Sequence, residues 1–420
     1  MKKFSSEWWD IFLQQTENMT QTTTFKNCIS QNETKLMRSC VLEIISEIAK
    51  LRTNKYGYRI YVDGVLLENN EMMAIYDSPP IKNESVEDWT KRTFGNKKFG
   101  MIINQGERFN LHLSKLIANK IEPLLAKKGI PSEGIIFTLF VGNYDSTPLG
   151  IHLDLPGKSV IHFHLGPGNK TMYTWDKKAY EKLVGEKIYN NQNISDYLPY
   201  ANKYPFDEGD LYFMPEDIYH VGTQEGLSIA IACWYNNRSK TDFAKQLQLF
   251  IQENYLVKNI ENLKADKNSV EDISIIEESL ALINLPEELE NLTYKDLIRQ
   301  EYKDFRYSMF SNGGFRTAPF PRNVNEMTIN INNSIQLESP FKILYKESIN
   351  REKLHLFIRG IKVETENFEC IKNLVDVINK GKPNKASELL KVLDDDWDDE
   401  IGLFLLHLLY KHHGIMILPN

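Results

Sequence analysis

Residues 147–175 read TPLGIHLDLPGKSVIHFHLGPGNKTMYTW, in which β-prone runs alternate with glycine, proline and asparagine. β-Branched and aromatic residues favour strands, whereas Gly, Pro and Asn favour turns. Three similar runs surround this stretch, GIIFTLFVG (134–142), DLYFMP (210–215) and LSIAIACWY (227–235). Short strands at such close spacing predict a β-barrel or sandwich over residues 134–236.

Helical patterns flank this β-rich region on both sides. Before it, residues 36–51 and 111–129 carry apolar side chains at helical intervals, and YGYRIYVDGVLL (56–67) predicts two strands around an Asp-Gly turn. After it, apolar residues recur at helical spacing in residues 243–251 and 273–283. The chain therefore belongs to the α+β class, with a helical segment after the barrel.

The C-terminal part has a different order of elements. Strand-like LHLFIRGIKVE (354–364) precedes three helical patterns and the acidic DDDWDDE (394–400). This order resembles a small winged-helix domain. We predict a catalytic domain at 1–240, a helical segment at 241–310 that is a candidate for dimerisation, and a winged-helix-like domain at 311–420.

Composition restricts the classes of partner. The chain has 420 residues, with 50 Lys and Arg against 57 Asp and Glu, and a net charge of −7, so nucleic acid is not favoured as a partner. No run reaches the ~20 apolar residues of a membrane span. The four cysteines show no framework spacing, and no signal peptide is recognised, so we expect a cytoplasmic protein.

A candidate metal site begins with GIHLD (150–154). His152 and Asp154 lie two positions apart, so on a strand they would project from the same face. His220 follows a predicted strand that ends at Pro215, and we expect a short loop to return its imidazole to the mouth of the barrel. Two imidazoles and one carboxylate leave half of an octahedral ion open. An isolated HxD pair is also typical of a hydrogen-bonded surface pair.

Together these segments resemble the JmjC, or cupin-like, family of Fe(II)- and 2-oxoglutarate-dependent oxygenases, in particular its hydroxylase branch. The likeness extends loosely to the C-terminal part, because ribosomal-oxygenase-type members also carry a helical dimerisation segment and a winged helix. The resemblance implies a double-stranded β-helix (cupin or jelly-roll) core, with iron bound by His152, Asp154 and His220. It also implies that 2-oxoglutarate and O2 are consumed to hydroxylate a side chain of a peptide or protein, giving succinate and CO2.

The resemblance further implies co-substrate contacts. Gly168-Asn169-Lys170 matches the family's Gly-x-Lys pattern, which makes Lys170 the partner of the distal carboxylate of 2-oxoglutarate. Extra residues between Asp154 and this lysine depart from the pattern. Thr147 is a second candidate contact. His162 and His164 share one strand face, which either points inward to the co-substrate or lies outside with its polar groups satisfied.

Two other classes stay open. A cupin isomerase or epimerase would use the same barrel with another metal, usually with an extra metal-binding glutamate that the segment 152–164 lacks. A non-enzymatic ligand-sensing regulator would need a basic recognition helix, and none stands out in the C-terminal part. We expect a peptide or protein substrate, no membrane association, and a chain that could form a homodimer.

Overall fold

The structure is a computed structural model that describes residues 1–185, 190–324, 329–394 and 397–419. Two residues of the predicted acidic stretch, 395 and 396, lie outside this range. The helices are α1 (Ser6–Gln15), α2 (Gln31–Leu51), α3 (Asn69–Tyr76), α4 (Val86–Phe94), α5 (Leu111–Lys128), α6 (Lys177–Val184), α7 (Ile194–Tyr197), α8 (Lys240–Tyr255), α9 (Glu277–Leu280), α10 (Glu287–Glu290), α11 (Tyr294–Ser311), α12 (Glu369–Asn379), α13 (Ala386–Leu390) and α14 (Asp399–Lys411).

The strands confirm a mixed α+β chain. They are β1 (Thr23–Phe25), β2 (Arg59–Val62), β3 (Val65–Leu66), β4 (Phe99–Ile103), β5 (Ile135–Gly142), β6 (Lys158–Asp176), β7 (Asn202–Phe206), β8 (Leu211–Met214), β9 (Ile218–Asn236), β10 (Ser334–Leu337), β11 (Leu344–Glu347), β12 (Lys353–Ile358), β13 (Ile361–Glu366), β14 (Asn384–Lys385) and β15 (Ile415–Ile417). The first nine form one sheet in which every pairing is antiparallel.

Two long strands, β6 and β9, pair along their whole length and take part in both walls of a barrel. In one wall, the first half of β6 and the second half of β9 are flanked by β8 and β5. In the other wall, the second half of β6 pairs with β7, and the first half of β9 contacts residues 146–152 through isolated bridges. This sharing of strands between two facing walls is the double-stranded β-helix expected from the sequence.

Successive side chains of each wall strand point to opposite faces of the sheet, and this alternation decides what each residue contacts. On the first wall, Phe137, Phe163 and Ile231 are fully buried in a large apolar core that they share with α1, α2 and α5. Their neighbours along the same strands, such as Thr138 and His162, line the barrel interior instead. The helices thus cover one face of the sheet, which leaves the other face free to form a cavity.

Some sequence-based element boundaries were wrong. The predicted strands at 159–166 and 170–175 are one 19-residue strand, β6. His220 follows a short loop after Pro215, as predicted, and is the third residue of β9. The helix expected over 273–283 contains only a short 3-10 turn and the four-residue α9. Its apolar residues Ile273, Ile276 and Leu280 are exposed, so burial does not stabilise a longer helix there.

The C-terminal part has its own apolar core, within residues 329–417, to which α12, α13 and α14 contribute. Two three-stranded sheets, β14-β10-β15 and β11-β12-β13, complete it. The winged-helix assignment and the domain boundaries predicted above stay predictions. Among the described residues, the structure contains no helix with the length and apolarity needed to cross a membrane.

A buried carboxyl group lies between the helical layer and the barrel. Glu107 is 1% exposed, and its carboxylate accepts a hydrogen bond from the amide of Phe137 at 3.0 Å. Burial raises its pKa from 4.5 to about 7, although hydrogen bonds oppose this shift. Because burial penalises the charged form, the folded protein holds the proton more tightly than the unfolded chain.

This carboxyl group makes stability depend on pH. Since the folded-state pKa of Glu107 is raised, its contribution is present below pH 4.5 and is lost as pH rises through about 7, by an amount on the order of 3 kcal/mol. We predict that Glu107→Gln flattens the fall in unfolding free energy between pH 5 and 8. Denaturant unfolding at both pH values measures this change. Equal pH slopes in Glu107→Gln and in the exposed control Glu122→Gln would contradict the assignment.

Candidate metal centre

Two reciprocal backbone hydrogen bonds bring the HxD segment to β9. The amide of His152 donates to the carbonyl oxygen of His220 at 3.1 Å, and the amide of His220 donates to the carbonyl oxygen of His152 at 2.9 Å. Residues 151 and 152 form only isolated bridges, so the predicted strand at GIHLD is wrong in extent. The pairing nevertheless places the two imidazoles side by side, with ring centroids 4.3 Å apart.

Gly150 allows the chain to turn into this pairing. Its φ is +70°, a left-handed conformation that side-chain-bearing residues rarely adopt. A Cβ at this position would lie 2.3 Å from the carbonyl oxygen of Asn191. The segment 150–152 is therefore held between Asn191 on one side and β9 on the other.

The three predicted ligands converge. One potential ligand atom from each of His152, Asp154 and His220 lies within 4.8 Å of the others. His220 Nε2 lies 3.7 Å from Asp154 Oδ2. This separation exceeds an ordinary hydrogen bond, and it is consistent with two atoms that share a metal ion.

Hydrogen bonds at the far side of each imidazole select the nitrogen that faces the centre. His152 Nδ1 lies 2.9 Å from the carbonyl oxygen of Gly150, and His220 Nδ1 lies 3.1 Å from that of Ile218. A carbonyl oxygen only accepts, so each Nδ1 carries the proton and donates it. The lone pair of each Nε2 is then available to a metal, an orientation typical of metal-binding histidines.

The electrostatics of the site also fit a cation. Asp154 Oδ2 is buried and has no hydrogen-bond partner, which is costly for a carboxylate without a counter-charge. Burial, with a smaller effect of His220, lowers the pKa of His152 to about 4. His152 is therefore neutral near pH 7, as a ligand must be. The donor set thus suits a divalent metal ion.

The candidate metal site has three protein ligands and leaves further coordination positions free. In the part of the chain that the structure describes, no fourth His, Cys, Asp or Glu joins the three. Structural zinc sites close with four protein ligands, whereas a 2-His-1-carboxylate set with free positions is typical of non-haem Fe(II) oxygenases. The extra glutamate expected of a cupin isomerase is likewise not found among the described residues.

The three candidate ligands line a cavity of about 320 Å³ inside the barrel. Lys170 also lines it and is 5% exposed, with Nζ 3.3 Å from the hydroxyl oxygen of Tyr144. Two register shifts occur in β6 between His164 and Asn169, and the second restores the pairing register of the first half. The extra residues before Lys170 are therefore absorbed, and its side chain still faces the interior.

The two histidines of β6 differ in their surroundings. His162 lines the cavity, and its buried Nε2 has no hydrogen-bond partner. Burial and, to a smaller extent, the positive charge of Lys170 lower its pKa well below the usual value, so it is neutral. His164 is fully buried but does not line the cavity, and its Nε2 lies 2.8 Å from the carbonyl oxygen of Gly168. This contact fastens the irregular part of β6.

Thr147 fixes the segment before the HxD motif to β9. Its hydroxyl accepts from the amide of Gly222 and lies 3.1 Å from the carbonyl oxygen of the same residue. Gly222 also permits a close approach of Lys170, because a Cβ there would lie 3.1 Å from Lys170 Cε. Thr147 therefore lines the cavity while its hydroxyl is engaged by the backbone of β9.

Sequence reasoning missed several residues of the cavity wall. Tyr212 pairs with His162 in the sheet, is 1% exposed, and has a hydroxyl group without a hydrogen-bond partner. Alternation in DLYFM would have placed it on the same face as Met214. Arg59 had no local signal, because it comes from a strand whose proximity to the cavity depends on the whole sheet.

Comparisons with models of protein families and with curated protein sequences found no match. Among solved structures, the chain is similar to the ribosomal oxygenase YcfD of Escherichia coli in complex with cobalt and 2-oxoglutarate, at 12% identity over 98% of each chain with a TM-score of 0.47. It is also similar to the non-heme α-ketoglutarate-dependent carbocyclase SnoK from nogalamycin biosynthesis, at 14% identity over 51% of this chain and 79% of that chain, with a TM-score of 0.31. Since both scores are below 0.5, the metal centre is argued from its own geometry.

The geometry predicts that all three side chains are needed for metal binding. His152→Ala, Asp154→Ala and His220→Ala should each weaken the affinity for Mn(II) or Co(II) by more than ~100-fold, because a ligand is lost from a three-ligand set. Calorimetric titration of the full chain measures this affinity. His355→Ala, in the C-terminal part, serves as the control. Retained affinity in His220→Ala would contradict the proposed ligand set.

Proposed function

We propose that this protein is an Fe(II)- and 2-oxoglutarate-dependent oxygenase that hydroxylates an amino-acid side chain of a peptide or protein. The observation that carries the proposal is the convergence of His152, Asp154 and His220 at the wall of a cavity that also holds an unpaired lysine. When bound, ferrous iron supplies activation of O2, with one oxygen atom going to the substrate and the other to succinate, while CO2 leaves.

Lys170 supports the assignment of the co-substrate. Its ammonium group is buried, and it forms no ion pair with any carboxylate of the described residues. A buried cation without a counter-ion is costly, and the distal carboxylate of a dicarboxylic acid would compensate it. The hydroxyl groups of Tyr144 and Tyr212 lie on the same cavity wall and could donate to that carboxylate.

The remaining wall residues orient the co-substrate and exclude water. Phe140, Met172 and Trp234 present apolar surface to the cavity. Low polarity strengthens the charged contact at Lys170. Because burial keeps His162 neutral, this residue can accept or donate a hydrogen bond without adding a second positive charge beside the lysine. The arrangement therefore binds a dianion with one end at the metal ligands and the other at Lys170.

Iron-dependent formation of succinate tests the proposed activity. Full-length protein with Fe(II), O2 and 2-oxoglutarate should release succinate, and a substrate peptide should increase the rate and gain one oxygen atom by mass spectrometry. His152→Ala should reduce both to background, because a metal ligand is lost. Turnover that persists in His152→Ala, or in the presence of a metal chelator, would overturn the proposal.

The role of Lys170 can be tested without altering its own side chain. Gly222→Ala places a methyl group near Lys170 Cε and Met172 Sδ, and both neighbours are flexible enough to move. We predict a rise of ~10–100-fold in the KM for 2-oxoglutarate, equal in direction to Lys170→Met, since a charge-assisted hydrogen bond is misplaced. Metal affinity should stay unchanged in Lys170→Met, whereas the methyl group of Gly222→Ala also approaches Thr147 Oγ1, at 3.2 Å. An unchanged KM in Lys170→Met would contradict the assignment of this lysine.

A further inference from the structure

The side chains that line the cavity include more cations than anions. Among the described residues that line it, Arg59, Lys158 and Lys170 are cations, and Asp154 supplies the one carboxylate. The three histidines of the wall, at positions 152, 162 and 220, complete the set of groups that could carry charge. The cavity thus has two more cations than a binding site for 2-oxoglutarate requires.

The proposed ligands account for only part of this charge. A divalent metal and Lys170 together bring three positive charges, and Asp154 with the dianion 2-oxoglutarate brings three negative charges. Arg59 and Lys158 remain outside this balance. An uncompensated pair of cations beside a partly enclosed cavity favours a negatively charged ligand.

Arg59 forms no ion pair with the residues that the structure describes. It lies at the first position of β2 and pairs in the sheet with Ile102 of β4, two strands from the cavity residue Phe140. Its Nε is buried and forms no hydrogen bond with any described residue. Burial of an unsatisfied guanidinium nitrogen is costly. A ligand in the cavity that accepts a hydrogen bond from this nitrogen would remove the cost.

Lys158 is the second cation of the cavity lining that forms no ion pair among the described residues. It is the first residue of β6, and its Nζ lies 5.4 Å from the ring centroid of Trp234, which also lines the cavity. No carboxylate of the described residues forms an ion pair with it. The nearby Glu216 carboxylate accepts instead from the amide of Gly157, at 2.7 Å.

Carboxylates near the rim do not neutralise these cations. The adjoining depression contains Asp63 and Asp145, but both are engaged by Lys98. The ammonium group of Lys98 lies 2.6 Å from Asp145, and its backbone amide donates to Asp63. The positive charge of Arg59 and Lys158 therefore remains available inside the cavity.

We propose that Arg59 and Lys158 select a substrate that presents a carboxylate to the cavity, such as the side chain of an aspartate or glutamate. This inference rests on the proposed function and specifies its substrate class. Arg59 offers a planar pair of donors that matches a carboxylate, and Lys158 adds a point charge. A cationic side chain would meet two like charges and would be rejected.

Direct binding of matched peptides tests the inference. The probes are nine-residue peptides that differ only at a central Glu, Gln or Lys, with N-acetylglutamate as a small free acid. Saturating 2-oxoglutarate and Zn(II) are present, so that the Lys170 site is filled and no turnover occurs. The glutamate peptide should bind ~10-fold or more tightly than the glutamine peptide, as expected for a charge-assisted contact.

Variants link this selectivity to the two cations. Arg59→Gln and Lys158→Gln should each reduce the preference for glutamate by ~5–10-fold, and the double variant R59E/K158E should prefer the lysine peptide. The exposed ion-pair residues Arg299 and Lys50 provide matched controls, as Arg299→Gln and Lys50→Gln. Both controls should keep the wild-type preference.

The outcomes distinguish a carboxylate on a peptide from one on a small acid. They also distinguish failure of this inference from failure of the oxygenase proposal. Tighter binding of the peptide than of N-acetylglutamate assigns the carboxylate to a polypeptide, and equal binding assigns it to a small acid. Equal affinity for the glutamate and glutamine peptides, or a preference that survives Arg59→Gln and Lys158→Gln, overturns the inference. Selectivity for glutamate without Fe(II)-dependent succinate formation would overturn the oxygenase proposal and leave the substrate class standing.

Discussion

The metal centre depends on one pair of backbone hydrogen bonds, between residues 152 and 220. This pairing joins two segments far apart in sequence, so the loop-closure entropy is compensated by the surrounding sheet and by the apolar layer beneath it. Gly150 and the contact of Thr147 with Gly222 hold the segment on either side. The ligand geometry is therefore a property of the barrel rather than of the three side chains alone.

The barrel separates two environments by simple alternation. One face of each strand contributes to a continuous apolar core with the helices, and the other face carries the groups that could act on a ligand. This division lets the chain bury Lys170 and Asp154 without disturbing the core. The cost of their desolvation falls on the cavity, where a metal ion and an anion can offset it.

The sequence was most informative where local pattern and final structure agree. Alternation and turn residues located the β-rich region, and the HxD motif with His220 located three side chains that converge in the structure. Local pattern failed at Gly166-Pro167-Gly168, where pairing between β6 and β9 extends β6 beyond residues that usually end a strand. It also could not find Arg59, because its position on the cavity wall follows from the order of strands in the sheet. For 273–283, apolar periodicity predicted a longer helix than the structure contains, because its apolar residues lack a packing partner within the described residues.

The paired register shifts in β6 have an evolutionary consequence. They act as two compensating insertions, one residue in β6 and one in β9, because either one alone would move Lys170 out of the pairing register that the preceding histidines have with β9. Homologous chains should therefore vary in length at this point only by changes that preserve the parity of the strand. Single-residue insertions and deletions should accumulate instead in the connections outside β6 and β9, where they leave the orientation of the buried lysine intact.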